Sequence, residues 1–152
     1  MVELKNFIDL DIDEKREVLK WRNSDEVREW MYTKKIITLK EHLNFIESLK
    51  DKKDKKYFLV QQNSKNIGVI NFTNITKMSL YIGLFANPDL KGVGKVLMQK
   101  ILQIPNKKDL YAEVFKDNKK AIRLYKNFGF KLIKIKDKIL TMELKNENLH
   151  HC

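Results

Sequence analysis

The sequence predicts an α/β or α+β sandwich, a mixed sheet covered by helices. Three observations predict it. Up to residue 50, apolar residues recur at helical spacing behind capping residues. From Lys56 the period becomes that of strands, in three runs rich in β-branched and aromatic residues separated by turn residues. Beyond Pro88 the patterns alternate: helix, strand, helix, then two closing strands.

Taken in order, "VELKNFI", 2–8, is a first strand. "DIDEKREVLKWRNSDEVREWMY", 11–32, reads as two short helices broken at Asn23–Ser24, with Ser24 capping the second and Val27, Trp30 and Met31 on its apolar face. Thr38 and Glu41 form a T-x-x-E capping box, opening a helix that carries Leu39, Leu43, Ile46 and Leu49. The charged run "KDKKDKKY", 50–57, is a loop. "KYFLVQQ", "NIGVINFT" and "MSLYIGLF" make an antiparallel meander joined by "NSK" and "NITK". The helix "GVGKVLMQKILQ", 92–103, is stopped by Pro105. The strand "LYAEVF", the helix "NKKAIRLYKNF" and the strands "FKLIKIK" and "KILTMELK", joined at Asp137–Lys138, complete the chain.

At 152 residues the prior is one domain, expected over 1–145 with a tail over 146–152. The net charge is +11, but 27 of the 31 basic residues are lysines. A reader of nucleic acid would be expected to use more arginine, whose fork matches phosphates and base edges, so lysines spread over most of the chain point to a solvated surface that attracts small anions. No run of 18 apolar residues and no apolar leader segment is present, and no membrane association is expected. Cys152 is the only cysteine, so no internal disulfide can form and a cytoplasmic location is expected. His150 and His151 beside it read as a frayed tail, and no metal site is expected.

Two motifs carry chemistry. In "NPDLKGVGKVLM", 87–98, a strand ends, the chain turns through two glycines, and a helix begins. The first amides of a helix lack intrahelical acceptors and carry partial positive charge. Residues without Cβ let a phosphate or pyrophosphate approach them, with Lys91 and Lys95 adding charge around Gly92, Val93 and Gly94. The pattern is neither a P-loop nor G-x-G-x-x-G, and alone it fits a simple turn equally well. In "NKKAIRLYKNFGF", 118–130, Asn118 caps a helix, Ala121, Ile122 and Tyr125 form its apolar stripe, and Gly129 ends it. Alone, this is a capped amphipathic helix with Tyr125 as a core aromatic.

Together, in this order and spacing, the two motifs resemble the GCN5-related N-acetyltransferase (GNAT) family, over residues 57–144. That resemblance implies a GNAT fold, a mixed but mostly antiparallel sheet of about seven strands flanked by helices, and an acetyl-CoA-dependent N-acetyltransferase with no metal. It implies that the turn at Lys91–Lys95 holds the pyrophosphate of acetyl-CoA, and that Asn118, Ala121 and Tyr125 lie along its pantetheine arm. Backbone amides at the end of "LYIGLFA", at Leu84 and Phe85, would meet the thioester carbonyl and its developing charge. Tyr125 would protonate the departing sulfur. Glu113, in "LYAEVF", would act as base or orient the amine. One position departs from the family's R/Q-x-x-G-x-G/A pattern: three residues before Gly92 stands Asp89, and Lys91 is the substitute cation.

The N-terminal segment, 21–50, resembles the family's acetyltransferases of UDP-linked amino-dideoxy sugars in pseudaminic acid biosynthesis. The acceptor implied is the 4-amino group of UDP-4-amino-4,6-dideoxy-N-acetyl-β-L-altrosamine. Arg22 and His42 would then address the UDP phosphates, and Met31, Tyr32, Phe45 and Tyr81 would enclose the sugar beside Glu113. Two alternatives stand beside this: a ribosomal-protein N-terminal acetyltransferase, and a non-catalytic acyl-CoA-binding or nucleic-acid-binding module. A homodimer through sheet edges or the C-terminal strands is left open.

Overall fold

The computed structural model describes residues 1–105 and 107–146; the expectations for His150, His151 and Cys152 lie outside the described residues. The elements are β1 (Val2–Asn6), α1 (Ile12–Asn23), α2 (Asp25–Arg28), α3 (Leu39–Ser48), β2 (Lys56–Gln62), β3 (Lys65–Thr73), β4 (Ser79–Ala86), α4 (Gly94–Gln103), β5 (Asp109–Phe115), α5 (Lys119–Asn127), β6 (Lys131–Lys136) and β7 (Ile139–Leu144). One seven-stranded sheet has the order β1-β2-β3-β4-β5-β7-β6. Every neighbouring pair is antiparallel except β4 and β5. No helix among the described residues is long and apolar enough to cross a membrane.

The helix starts follow the capping chemistry. Asp11 and Glu14 form a reciprocal capping box on α1, as Thr38 and Glu41 do on α3. Asn118 accepts the amide of Ala121 and starts α5. At the other end of α5, Gly129 takes a left-handed backbone, φ 95°. Its amide bonds the Lys126 carbonyl, and the Phe130 amide bonds that of Tyr125. This is a Schellman closure, whose usual apolar contact is supplied by the Tyr125 and Phe130 rings, 5.4 Å apart.

Four expectations need correction. The first strand stops at Asn6, whose side chain caps a short 3-10 turn over Phe7–Asp9 that turns Phe7 into the core. The Ser24 hydroxyl donates to the carbonyl of Trp21 at 2.6 Å and so does not cap α2. That helix ends at Arg28, so Trp30 and Met31 belong to the following loop. On α3 the fully buried positions are His42 and Ile46, with Leu49 just beyond, while Leu39 and Leu43 are only half-buried.

Each sheet face has its own core. Beneath α4 and α5 lie Val60, Ile70, Leu97, Met98, Ile101 and Met142 among others. Beneath α1 and α3 lie Phe7, Val18, Trp21, Ile46, Leu59 and Val69. Strand alternation separates the two sets, since side chains one residue apart leave opposite faces.

The β4–β5 pair decides where a ligand can enter. Pairing covers only Ser79–Tyr81 with Asp109–Tyr111, although both strands run on. In an antiparallel ladder, a residue's N–H and C=O point both toward one neighbour or both away, in alternation. The Asn87 amide donates to Ile67 on the β3 side at 2.9 Å, and the Met78 carbonyl accepts Asp109 on the β5 side at 2.9 Å. With no break in the β3–β4 register, odd residues of β4 face β3 and even residues face β5. Leu84 and Ala86 therefore direct their backbone groups into the gap where β5 has turned away.

Gly68 sits where α4 crosses the sheet. A Cβ there would lie 2.7 Å from the Phe85 carbonyl oxygen and 2.8 Å from Leu97 Cδ1. Gly68→Ala is expected to lower unfolding stability by about 1–3 kcal/mol, the usual range for overpacking, measured as a reduced denaturant midpoint.

Candidate active site

The donor side of the cleft is built from backbone. Asn87 is buried and fixes the turn after β4: its Nδ2 donates to the Asn66 carbonyl at 3.1 Å, and its Oδ1 accepts the Asp89 amide at 3.0 Å. The chain then runs through Gly92, whose φ of 75° favours a residue without Cβ and which has nothing within 4 Å of a hypothetical Cβ. Val93 is the N-cap of α4 and supplies no side-chain cap; the first helical bond is Leu97 N–H to the Val93 carbonyl. The amides of Gly94, Lys95 and Val96 thus precede the first bonded turn. Lys91 and Lys95 are exposed beside them. Asp89 is also exposed, and its carboxylate forms no hydrogen bond or ion pair among the described residues. These features fit an anionic diphosphate.

Tyr125 hangs from α5 into the core that α5 covers, only 6 % exposed. Burial pushes its phenol up to about 12. No acceptor among the described residues engages its hydroxyl, so at neutral pH it is a protonated donor available to a ligand. Of the two amides expected at the thioester, only one faces the gap. The Phe85 amide points to β3 opposite Val69, and its ring packs against the α1–α3 core. Leu84 alone has the required direction.

The acceptor side lies on the α1–α3 face. Across β5, β7 and β6, Cα partners share that face and form three rows: Tyr111–Glu143–Lys131, Glu113–Thr141–Lys134 and Phe115–Ile139–Lys136. Over these rows arches the loop after α2. The Tyr32 hydroxyl donates to Glu113 Oε1 at 2.8 Å. Its ring lies 5.8 Å from that of Phe115, and Lys34 Nζ stands 4.6 Å over the same Phe115 ring. Partial burial, then the Glu113 carboxylate, pushes the Tyr32 phenol up to about 12. Tyr81 and Tyr111 stack at 5.4 Å where β4 and β5 part.

Three side chains hold the loop down. Arg22 Nη2 donates to the Thr33 carbonyl at 3.1 Å, and Arg28 Nη1 to that of Lys34 at 3.0 Å. Asn23 clasps Ile37 at two points, donating to its carbonyl and accepting its amide, both at 2.8 Å.

The structure therefore divides the expected acceptor residues. Tyr32, Tyr81 and Glu113 come together, with Met31 adjacent in the loop. Arg22 sits beneath the loop, its Nη1 buried without a partner. His42 is buried, and its Nε2 lies 3.0 Å from the Lys15 carbonyl; burial is also the chief cause that lowers its pKa. Phe45 packs edge-on against Tyr57 at 5.0 Å in the α1–α3 core. In this arrangement Arg22 keeps its unpartnered Nη1 shielded from solvent, and His42 has its Nε2 against the Lys15 carbonyl, so neither presents an exposed N–H to a phosphate. Lys34, Phe115, Tyr111 and Asn87 escape the sequence reading. Asn87 alone carried a signal, as the residue before the turn proline.

A sheet whose fourth and fifth strands part beside an uncapped, glycine-led helix, with a buried phenol on the next helix, defines an acyltransferase scaffold. The model of the Acetyltransferase (GNAT) family matches residues 16–130, and the chain belongs to this family of acetyltransferases. Within it, the chain is 48% identical over 134 residues to Acetyltransferase PseH of Campylobacter jejuni serotype O:2, covering 86% of this chain and 85% of that protein. The corresponding protein of serotype O:23/36 is 46% identical over the same length. The crystal structure of Campylobacter jejuni N-acetyltransferase PseH in complex with acetyl coenzyme A superposes with a TM-score of 0.82 at 38% identity, over 95% of this chain and 99% of that one. The spermidine N-acetyltransferase of Vibrio cholerae, at 19% identity and TM-score 0.80 over 94% of each chain, shares the fold.

The Asn23 clasp makes the loop's geometry testable. Asn23→Ala is expected to cost about 1–3 kcal/mol, because it leaves the Ile37 backbone groups unpaired. Amide exchange at Ile37 should accelerate while exchange in β3 does not change.

Proposed function

We propose that this enzyme transfers the acetyl group of acetyl-CoA to the 4-amino group of a UDP-linked amino-dideoxy sugar, UDP-4-amino-4,6-dideoxy-N-acetyl-β-L-altrosamine, a step of pseudaminic acid biosynthesis. Similarity to PseH over most of the chain supports the choice of acceptor. The observation that carries the reaction type is the gap after Tyr81 and Tyr111, with the Leu84 amide on its β4 side and the Glu113–Tyr32 pair on its β5 side.

Acetyl-CoA supplies the activated acyl group as a thioester. The open amides at the start of α4, with Lys91 and Lys95, hold its diphosphate. Asn118 and Ala121 line the path of its arm along α5. The Leu84 N–H is directed to where the carbonyl oxygen gains charge, and a fixed donor of that kind costs no reorganisation during reaction. The Glu113 carboxylate draws in the amino substrate and accepts its proton, directly or through a water. Tyr32, held protonated, donates to Oε1 and leaves Oε2 for the amine. Tyr125 gives its proton to the departing sulfur. Met31, Tyr32 and Tyr81 present apolar surface to the sugar. Holding both reactants in one cleft removes much of the entropic barrier to their encounter.

The test is thiol release from acetyl-CoA against a panel of UDP-4-amino sugars, N-terminal peptides and spermidine. Release with the sugars alone is expected; release with peptides and none with any sugar overturns the acceptor. Tyr125→Phe removes no hydrogen bond among the described residues, so it should fold normally and bind acetyl-CoA as the parent does. Its kcat should fall about 10²-fold or more, the range for loss of a general acid.

A further inference from the structure

The proposed acceptor carries two charges of opposite sign: an amine at one side of the sugar and a diphosphate at the other. Glu113 accounts for the amine. The cations expected for the diphosphate are not available to it. Arg22 holds the Thr33 carbonyl and keeps its remaining Nη1 out of solvent, and His42 is buried against Lys15. Arg28 likewise holds the Lys34 carbonyl and Asp25.

Free cations stand elsewhere on the same face. Each of the three rows crossing β5, β7 and β6 ends in a lysine on the edge strand β6. Lys134 terminates the row that starts at Glu113, two strand spacings away, about 9–10 Å. Lys136 terminates the row that starts at Phe115. These two lysines line an open pocket of about 350 Å³ together with Tyr32, Glu113, Thr141 and Asp137. Among the described residues neither forms a salt bridge, and both are exposed. Of the other acids near this face, Glu143 stands opposite Tyr111 in the β5–β7 ladder, and Asp137 lines the pocket itself. The pocket thus has the Glu113 carboxylate at one end and the Lys134 and Lys136 ammonium groups at the other, with Asp137 in the turn beside the lysines forming no ion pair with them, at a spacing that suits a sugar ring bridging the two ends.

Resting on the acceptor reading above, we infer that Lys134 and Lys136 form the subsite for the acceptor's diphosphate, and that they rather than Arg22 and His42 select a nucleotide-linked amine over an uncharged one. An ammonium on a flexible stem suits this role, since it meets a phosphate as a point charge without fixed geometry. Lysines on an edge strand also discourage strand-to-strand association. That role makes no demand on nucleotide binding, so the two can be separated.

The experiment measures UDP binding by calorimetry in the presence of saturating coenzyme A, with uridine as the uncharged probe. It compares the parent protein, K134Q/K136Q, and K52Q/K53Q, which removes equal charge from the loop before β2. The expected result is at least a tenfold weaker UDP affinity in K134Q/K136Q, with uridine and coenzyme A affinities unchanged and K52Q/K53Q within twofold of the parent. Undetectable UDP binding by the parent at millimolar concentration overturns the inference. So does equal UDP affinity in the parent and K134Q/K136Q, or an equal loss in both variants, which would report net charge alone. Thiol release with the UDP-amino sugar, assayed in parallel, judges the acceptor separately. Lysine-dependent UDP binding without sugar turnover keeps the subsite and removes that sugar. Sugar turnover without lysine dependence removes the subsite and keeps the sugar.

Discussion

The early parting of β4 from β5 is the constraint from which the site follows. Parallel pairing stops at Tyr81 and Tyr111, yet both strands are secured on their outer sides, β4 by β3 and β5 by β7. Backbone groups left unpaired in a protein interior are costly, so a gap of this kind survives only where a ligand or water can satisfy them. It opens both sheet faces to each other at one point. The α4–α5 face contributes the open helix start and the Tyr125 phenol, and the α1–α3 face contributes Tyr32 and Glu113. Donor and acceptor can then approach from opposite sides of one sheet without competing for the same wall.

The acceptor side depends on a second arrangement, the attachment of the loop after α2. That loop has no regular hydrogen bonding of its own, and Arg22, Asn23 and Arg28 hold its carbonyls in place. Two of the chain's four arginines are used in this way. The consequence at the site is the position of Tyr32 over Glu113 and Phe115. The cations that line the pocket are lysines, Lys134 and Lys136.

Much of this was legible in the sequence because it is local. The capping boxes at Asp11 and Thr38, the Asn118 cap and the Gly129 closure depend on residues within one turn, and the element order follows from them and from strand periodicity. The G-x-G turn and the α5 motif, on which the proposed donor side rests, are local in the same way. What was not legible depends on partners far apart in sequence. Tyr32 meets Glu113 across 81 residues and Asn66 meets Glu17 across 49. Arg22 and His42 were read as free cations because sequence gives charge but not direction; the fold turns one beneath a loop and the other into the core. Phe85 was paired with Leu84 because alternation across a ladder is set by register, which only the paired strand fixes. The β6 lysines fell under the general reading of lysine as solvated surface; only the register aligns them with Glu113.

On the proposed reaction, Leu84 and not Phe85 offers its backbone to the acyl donor across the gap. Amide hydrogen exchange resolved by residue tests it directly, with and without saturating acetyl-CoA and with no acceptor present. The prediction is that the Leu84 amide exchanges rapidly in the free protein and becomes protected when acetyl-CoA binds, while the Phe85 amide is protected throughout by its bond to β3. A Leu84 amide already protected in the free protein, or one that does not respond to acetyl-CoA, would contradict it.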